Sequence, residues 1–154
     1  MVKLTTVSSA EPQREHLAAF KAYASVPDDH LDALLVQLLR TAFKMVQEAA
    51  DKPILASSLE LEVSERDDNS PVVLFQGEGA SVVSVTDGTG APLGYERRGS
   101  LIFPNAATPV VRVLYMTVPD LAEGARLLPF VYQYATALYD GADSKTLANI
   151  LAQC

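Results

Sequence analysis

The sequence contains few of the residues that catalytic and metal sites require. Its 154 residues include one cysteine, Cys154, two histidines, His16 and His30, and no tryptophan. A single cysteine excludes an internal disulfide framework, which fits assembly in a reducing cytoplasm. The two histidines lie on different predicted elements without the ligand spacing of a metal site, and we expect both at the solvated surface. The sequence therefore predicts a protein that is not an enzyme and that uses neither a metal nor another cofactor.

Basic residues and long apolar runs are also scarce. The chain has 12 Lys and Arg against 19 Asp and Glu, a formal net charge of −7. This charge argues against a protein that binds nucleic acid through its phosphates. A negative wall nevertheless suits a channel along which DNA slides, because it repels the phosphate backbone. No apolar run approaches about 18 residues, so we predict no membrane span, and residues 1–13 lack the apolar segment of a secretory signal.

The most prominent pattern in the sequence is a long helix predicted over residues 27–51. Asp28 or Asp29 is a candidate N-cap, and Pro53 blocks continuation. The apolar arc of this helix covers about 200°, wider than the about 100° that one core requires. Two interpretations stay open: a helix enclosed within its own domain, or a helix with part of its arc against a neighbouring subunit. In the second interpretation the subunit interface comprises Val36, Leu39 and Phe43.

The remaining pattern alternates between helical and strand periodicity. We predict an extended leader over residues 1–10, helices over 11–24, 129–140 and 145–152, and strands over 58–65, 72–75, 82–86, 93–96, 101–103 and 110–117, with a polar turn over 66–71. The predicted fold class is α+β: a helical hairpin with a long central helix, a small and mostly antiparallel inserted β-sheet, and C-terminal helices. Residues 1–154 form a single predicted domain, with helical parts about 11–52 and 120–152 and a β part about 57–117.

The order of several short phrases resembles that of a known protein family. The phrases are VPDDHLDALL (residues 26–35), KPIL (52–55), VVSVTDGTG (82–90), a strand that ends in tyrosine (110–115), and a helix that opens with proline and ends in Leu-Tyr-Asp (129–140). Together they are similar to the head–tail connector (adaptor, or head-completion) proteins of long-tailed bacteriophages. Two places depart from the family pattern: Met116 and Thr117 follow the last strand instead of Gly-Tyr, and acidic residues follow Tyr139 instead of basic ones.

The resemblance implies a structural protein of the virion neck, assembled in the host cytoplasm. Such proteins form a ring, commonly of twelve subunits, that binds below the portal protein and extends the DNA channel. The ring offers a docking surface to a stopper or tail-completion protein, and the genome passes through it without specific binding. In relatives the C-terminal segment tends to reach the portal. Here the portal contact would comprise Leu147, Ile150, Leu151 and Cys154.

A second hypothesis belongs to a different class of protein. A small cellular α+β domain that binds a ligand or a peptide, with its sheet as the platform, accounts for the same composition. Mass in solution and microscopy of mixtures with portal protein distinguish a ring subunit from a monomeric binding domain.

Overall fold

The computed structural model describes residues 1–66 and 70–154 and confirms the α+β class. Within these residues the chain forms seven strands and four helices. They follow in the order β1 (Val2–Ser9), α1 (Arg14–Ala24), α2 (Asp32–Ala50), β2 (Ser57–Val63), β3 (Val72–Val73), β4 (Ser81–Asp87), β5 (Tyr95–Arg98), β6 (Leu101–Pro104), β7 (Val111–Met116), α3 (Leu121–Tyr139) and α4 (Ser144–Leu151). The predicted polar turn over 66–71 falls partly on residues 67–69, which lie outside the described residues.

The chain divides into two compact units. The β unit comprises Met1–Ala10 and Ala56–Val118, and the helical unit comprises Glu11–Leu55 and Pro119–Cys154. Residues 1–10 therefore contribute a strand to the β unit, where the sequence predicted only an extended leader. The assignment of residues 1–154 to a single connector domain stays a prediction.

The β unit contains two antiparallel sheets where we predicted one. The first has the strand order β1-β2-β7-β4, and the second has the order β3-β6-β5. Alternating apolar residues of the first sheet share one face, because Leu61 lies opposite both Leu4 on β1 and Val113 on β7. At the centre of this unit, Tyr115 is fully buried and its hydroxyl donates to the carbonyl of Phe75 at 2.8 Å.

The helical unit surrounds α2, whose start differs from the prediction. The helix begins at Asp32, and its N-cap position is Leu31, which makes no side-chain cap. Asp29 instead binds Lys21 on α1: the Lys21 ammonium lies 2.6 Å from Asp29 and 2.8 Å from Asp32. A cation from the preceding helix therefore pairs with Asp29, one of the two carboxylates that we expected to cap α2.

Helix α3 begins well before the predicted start at Pro129. Asp120 caps it by accepting from the amide of Glu123 at 3.1 Å, and Pro129 lies inside the 19-residue helix. An interior proline removes one backbone hydrogen bond and crowds the preceding turn, at a cost of about 3 kcal/mol. Burial on both sides of the proline, by Leu127 and Val131, offsets this cost.

Candidate assembly surfaces

Two of the three residues predicted at the subunit interface are buried within the helical unit, and the interface itself stays a prediction. Leu39 is 0% exposed and Phe43 is 1% exposed, within the core cluster of the helical unit. Neither side chain has surface to offer to another subunit in this conformation. Val36 is half-buried and stays a predicted interface residue.

The wide apolar arc of α2 has a simple explanation within the helical unit. Helices α1, α3 and α4 all contact α2, so the arc is covered from several sides instead of one. The exposed large apolar residue on α2 is Leu34, at 49%. It stands in line with exposed Gln37, Thr41 and Lys44 on the polar face. This spacing from polar residues indicates an exposed position for Leu34, which we did not predict.

The residues predicted to contact the portal all lie against the helical core. Ile150 is 5% exposed, and Leu147, Leu151 and Cys154 are half-buried and pack against the same cluster. Asp143 caps the helix by accepting from the amide of Thr146 at 2.8 Å. The apolar strip of α4 is thus covered in this conformation, and the outward face of α4 is polar.

Each unit leaves apolar side chains in solvent. In the helical unit, the large apolar side chain of Leu121 is 87% exposed, beside the capping Asp120 at the start of α3. The β unit exposes Val2 (67%), Leu4 (40%) and Val7 (58%) along β1. Such side chains mark candidate contact surfaces when they lie close together. No sequence pattern predicted a role for either group of exposed side chains.

The outward face of the first sheet carries paired charges. Glu62 on β2 lies opposite Arg112 on β7 and opposite Lys3 on β1. The Arg112 guanidinium donates to the Glu62 carboxylate at 2.7 Å. This hydrogen bond, with a smaller contribution from Lys3, lowers the pKa of Glu62. The Glu62 carboxylate therefore belongs to an ion-pair row, which is a structural role.

The two histidines differ in their surroundings. His30 is exposed, as predicted. His16 is half-buried: its ring lies edge-on to Phe43 with centroids 5.0 Å apart, and its Nδ1 accepts from the amide of Gln13 at 2.9 Å. Burial lowers the pKa of His16, so the ring acts as a neutral capping and packing group. Among the described residues, no group of three or more His, Cys, Asp or Glu side chains has an arrangement that could hold a metal ion.

Two of the phrases that carry the family resemblance have a structural explanation. At the end of VVSVTDGTG, one Asp87 carboxylate oxygen accepts from the hydroxyl of Thr89 at 2.6 Å and from the amides of Thr89 at 2.8 Å and Ala91 at 3.0 Å. These hydrogen bonds, the one from the hydroxyl most of all, lower the pKa of Asp87. Gly90, at φ +87°, supplies the left-handed conformation that the turn requires. After α2, the Gln47 carboxamide oxygen accepts from the amides of Ile54 and Leu55 at 2.7 and 2.8 Å. Both phrases therefore stabilise the turn that follows a regular element, β4 in the first case and α2 in the second.

Comparison with known proteins shows a fold shared with solved structures. No family model matches the chain, and no curated protein matches it. A chain in the neck of an empty gene transfer agent particle, determined with C6 symmetry, matches with a TM-score of 0.64 and 17% identity over 90% of this chain and 84% of that chain. A chain of the native gene transfer agent virion matches with a TM-score of 0.60 and 15% identity over 97% and 93%. A chain in the native neck, determined with C12 symmetry, matches with a TM-score of 0.57 and 17% identity over 94% and 93%.

These similarities define the class of fold. The chain has the α+β fold of chains found in the neck and virion of a gene transfer agent particle, over nearly its whole length. Within the described residues, no helix is long and apolar enough to cross a membrane.

Proposed function

We propose that this chain is a structural subunit of a virion neck: a head–tail connector, or adaptor, that forms a ring below the portal protein. The observation that carries this proposal is the fold shared with a neck chain over 90% of this sequence, at a TM-score of 0.64. The order of sequence phrases, which resembles the connector family, supports it independently. In this role the protein catalyses no reaction and acts through its contacts with copies of itself and with neighbouring neck proteins.

A ring below the portal extends the channel through which DNA passes. The net charge of −7 supports this part of the proposal, because a negatively charged wall repels phosphates and does not retain the genome. The tail-side partner is a stopper or tail-completion protein, which docks on the face of the ring away from the portal. The ring contains twelve subunits, in keeping with the resemblance and with the C12 symmetry of one similar neck.

The portal contact is proposed to lie on the C-terminal segment that includes Leu147, Ile150, Leu151 and Cys154. Because Ile150 is buried in the helical core, a contact through this apolar strip requires α4 to leave that core and enter a groove on the portal. A contact through the outward face of α4 requires no such movement. Removal of Ser144–Cys154 tests the segment as a whole.

The experiment is electron microscopy of the purified chain mixed with the portal protein of the same particle. We expect a ring of density below the portal for the intact chain, and none for a variant that lacks Ser144–Cys154. Circular dichroism must show that the truncated chain keeps its other helices, since the deletion uncovers part of the core. A folded, truncated chain that still binds portal normally would contradict the role of this segment. Failure of the intact chain to bind portal would contradict the proposed function.

A further inference from the structure

Within residues 1–66 and 70–154, strand β1 pairs with β2 alone and its other edge has no strand partner. It is a terminal strand of the four-stranded sheet, and all eight of its residues are exposed. Met1 and Ser64 exchange two backbone hydrogen bonds, of 2.9 and 3.0 Å. Because bonded and non-bonded pairs alternate along an antiparallel ladder, Lys3 also bonds to β2, and the amides and carbonyls of Val2 and Leu4 point away from the sheet.

Strand β5 presents a further strand edge in the β unit. It is a terminal strand of the three-stranded sheet, and the amide of Asn105 donates to the carbonyl of Gly94 at 2.8 Å. The same alternation directs the backbone groups of Glu96 toward β6 and those of Tyr95 and Arg97 outward.

When the two edges run antiparallel, they match in charge and in phase, that is, in the alternation of their outward-pointing backbone groups. Outward-pointing groups must lie opposite one another, and the register that pairs Leu4 with Tyr95 places Lys3 opposite Glu96. A shift of two residues in one direction places Lys3 opposite Arg98, and opposed like charges are destabilising. A shift of two residues in the other direction leaves Lys3 opposite Gly94. Phase and charge therefore select one register.

Side chains on both faces favour the same register. Directly opposed residues share a face of the sheet, so Leu4, 40% exposed, and Tyr95, 38% exposed, would cover each other. On the opposite face, Glu96 would extend the alternating row in which Lys3, Glu62 and Arg112 already lie side by side. Apart from Lys3 and the irregularity between Thr6 and Ser8, β1 has few of the features that block edge pairing.

We propose that β1 of one copy pairs with β5 of the next copy, in the register that sets Leu4 against Tyr95 and Lys3 against Glu96. The two strands are different surfaces of one chain, so the contact is head-to-tail, and its repetition builds a ring if the rotation closes. The contact deepens the proposed function, on which it rests, by naming the surface through which copies of the subunit join.

Disulfide trapping between singly substituted chains tests the register. In a background of Cys154→Ser, which removes the native cysteine, a tagged Lys3→Cys chain is mixed with an untagged Glu96→Cys chain and oxidised. Opposed residues of a non-bonded pair lie about 4.5 Å apart at Cα, within the range that a disulfide spans. The control partner is Arg98→Cys, which lies about 7–8 Å away on the diagonal. Since each chain carries one cysteine, a mixed disulfide reports a contact between copies.

We expect the 3–96 heterodimer to exceed both the 3–98 heterodimer and the 3–3 homodimer several-fold. A backbone test accompanies it: Leu4→Pro removes an outward amide and lowers the yield, whereas Leu4→Ala keeps the amide and lowers it less. Equal 3–96 and 3–98 yields, or a 3–96 yield no higher than that of the homodimer, would overturn the proposal. If rings form below portal without the 3–96 disulfide, the strand contact fails and the proposed function stands. If the disulfide forms but the intact chain does not bind portal, the strand contact stands and the proposed function fails.

Discussion

The burial of Leu39 gives a prediction that separates a core residue from an interface residue. Leu39 is fully buried on α2, while Leu34 is 49% exposed on the same helix, so the two form a matched pair. Replacing a buried leucine by alanine removes its transfer free energy and leaves a cavity, at a cost of about 2–5 kcal/mol. The same change at an exposed position costs within about 0.5 kcal/mol. We therefore expect Leu39→Ala to destabilise the helical unit strongly and Leu34→Ala hardly at all.

Urea unfolding followed by circular dichroism at 222 nm measures the difference, because this signal reports mainly on the helices. With a slope of about 1–3 kcal/mol per molar urea, a loss of about 2–5 kcal/mol at Leu39 lowers the unfolding midpoint by about 0.7–5 M. Light scattering on the same samples reports association. A Leu39→Ala variant with an unchanged midpoint but weakened self-association would refute the assignment to the core and restore the interface interpretation.

Three further predictions concern single side chains. Pro129→Ala restores a backbone amide within α3 and should raise the free energy of unfolding by up to about 3 kcal/mol. The control Pro119→Ala lies outside the helix and should change the free energy of unfolding little. A Pro129→Ala variant no more stable than the parent contradicts this prediction. Tyr115→Phe removes the hydroxyl that satisfies a carbonyl in the β unit and should cost about 1–3 kcal/mol in thermal or urea unfolding; an unaltered melting curve would be inconsistent with the buried hydrogen bond. Lys21 lowers the pKa of Asp29 from its usual 3.8, so this pair contributes stability above about pH 4 that is lost as pH falls through the folded-state pKa. The melting temperatures of the parent and Lys21→Met should therefore converge as pH falls below about 4, and a constant difference would show that the pair does not act through this charge.

Periodicity predicted the elements of this chain more reliably than their ends. The alternation of Leu59, Leu61 and Val63 predicted β2, because residues on one face of a strand recur every second position. A helix was predicted to start at Pro129, with residues 119–126 left ambiguous in the predicted helical part 120–152, since proline at a first helical position is the commoner arrangement. The capping Asp120 lies nine residues earlier in the same helix, and only the burial of Leu127 and Val131 on both sides makes an interior proline tolerable.

The candidate interface shows why the sequence pattern of one helix cannot assign which chain covers its apolar face. The apolar arc of α2 fitted both an enclosed helix and one that contacts another subunit, because the arc records how much surface is covered and not which chain covers it. The packing of α1, α3 and α4 around α2 resolved this ambiguity for Leu39 and Phe43. Leu34, which is exposed, carried a weaker signal because it stands alone among polar residues.

The sequence by itself determined the α+β class and the alternation of apolar and polar positions, because side-chain periodicity is a local property of helix and strand. It also determined the turns at Asp87 and Gly90, where short-range hydrogen bonds and a positive φ act within a few residues. Tertiary structure alone decided that residues 1–10 form an edge strand, that Lys21 holds Asp29 and Asp32, and which strand edges are left unpaired. The strand pairing joins residues far apart in the chain, and the Lys21 contacts join α1 to the segment that leads into α2. No local pattern specifies which segments meet.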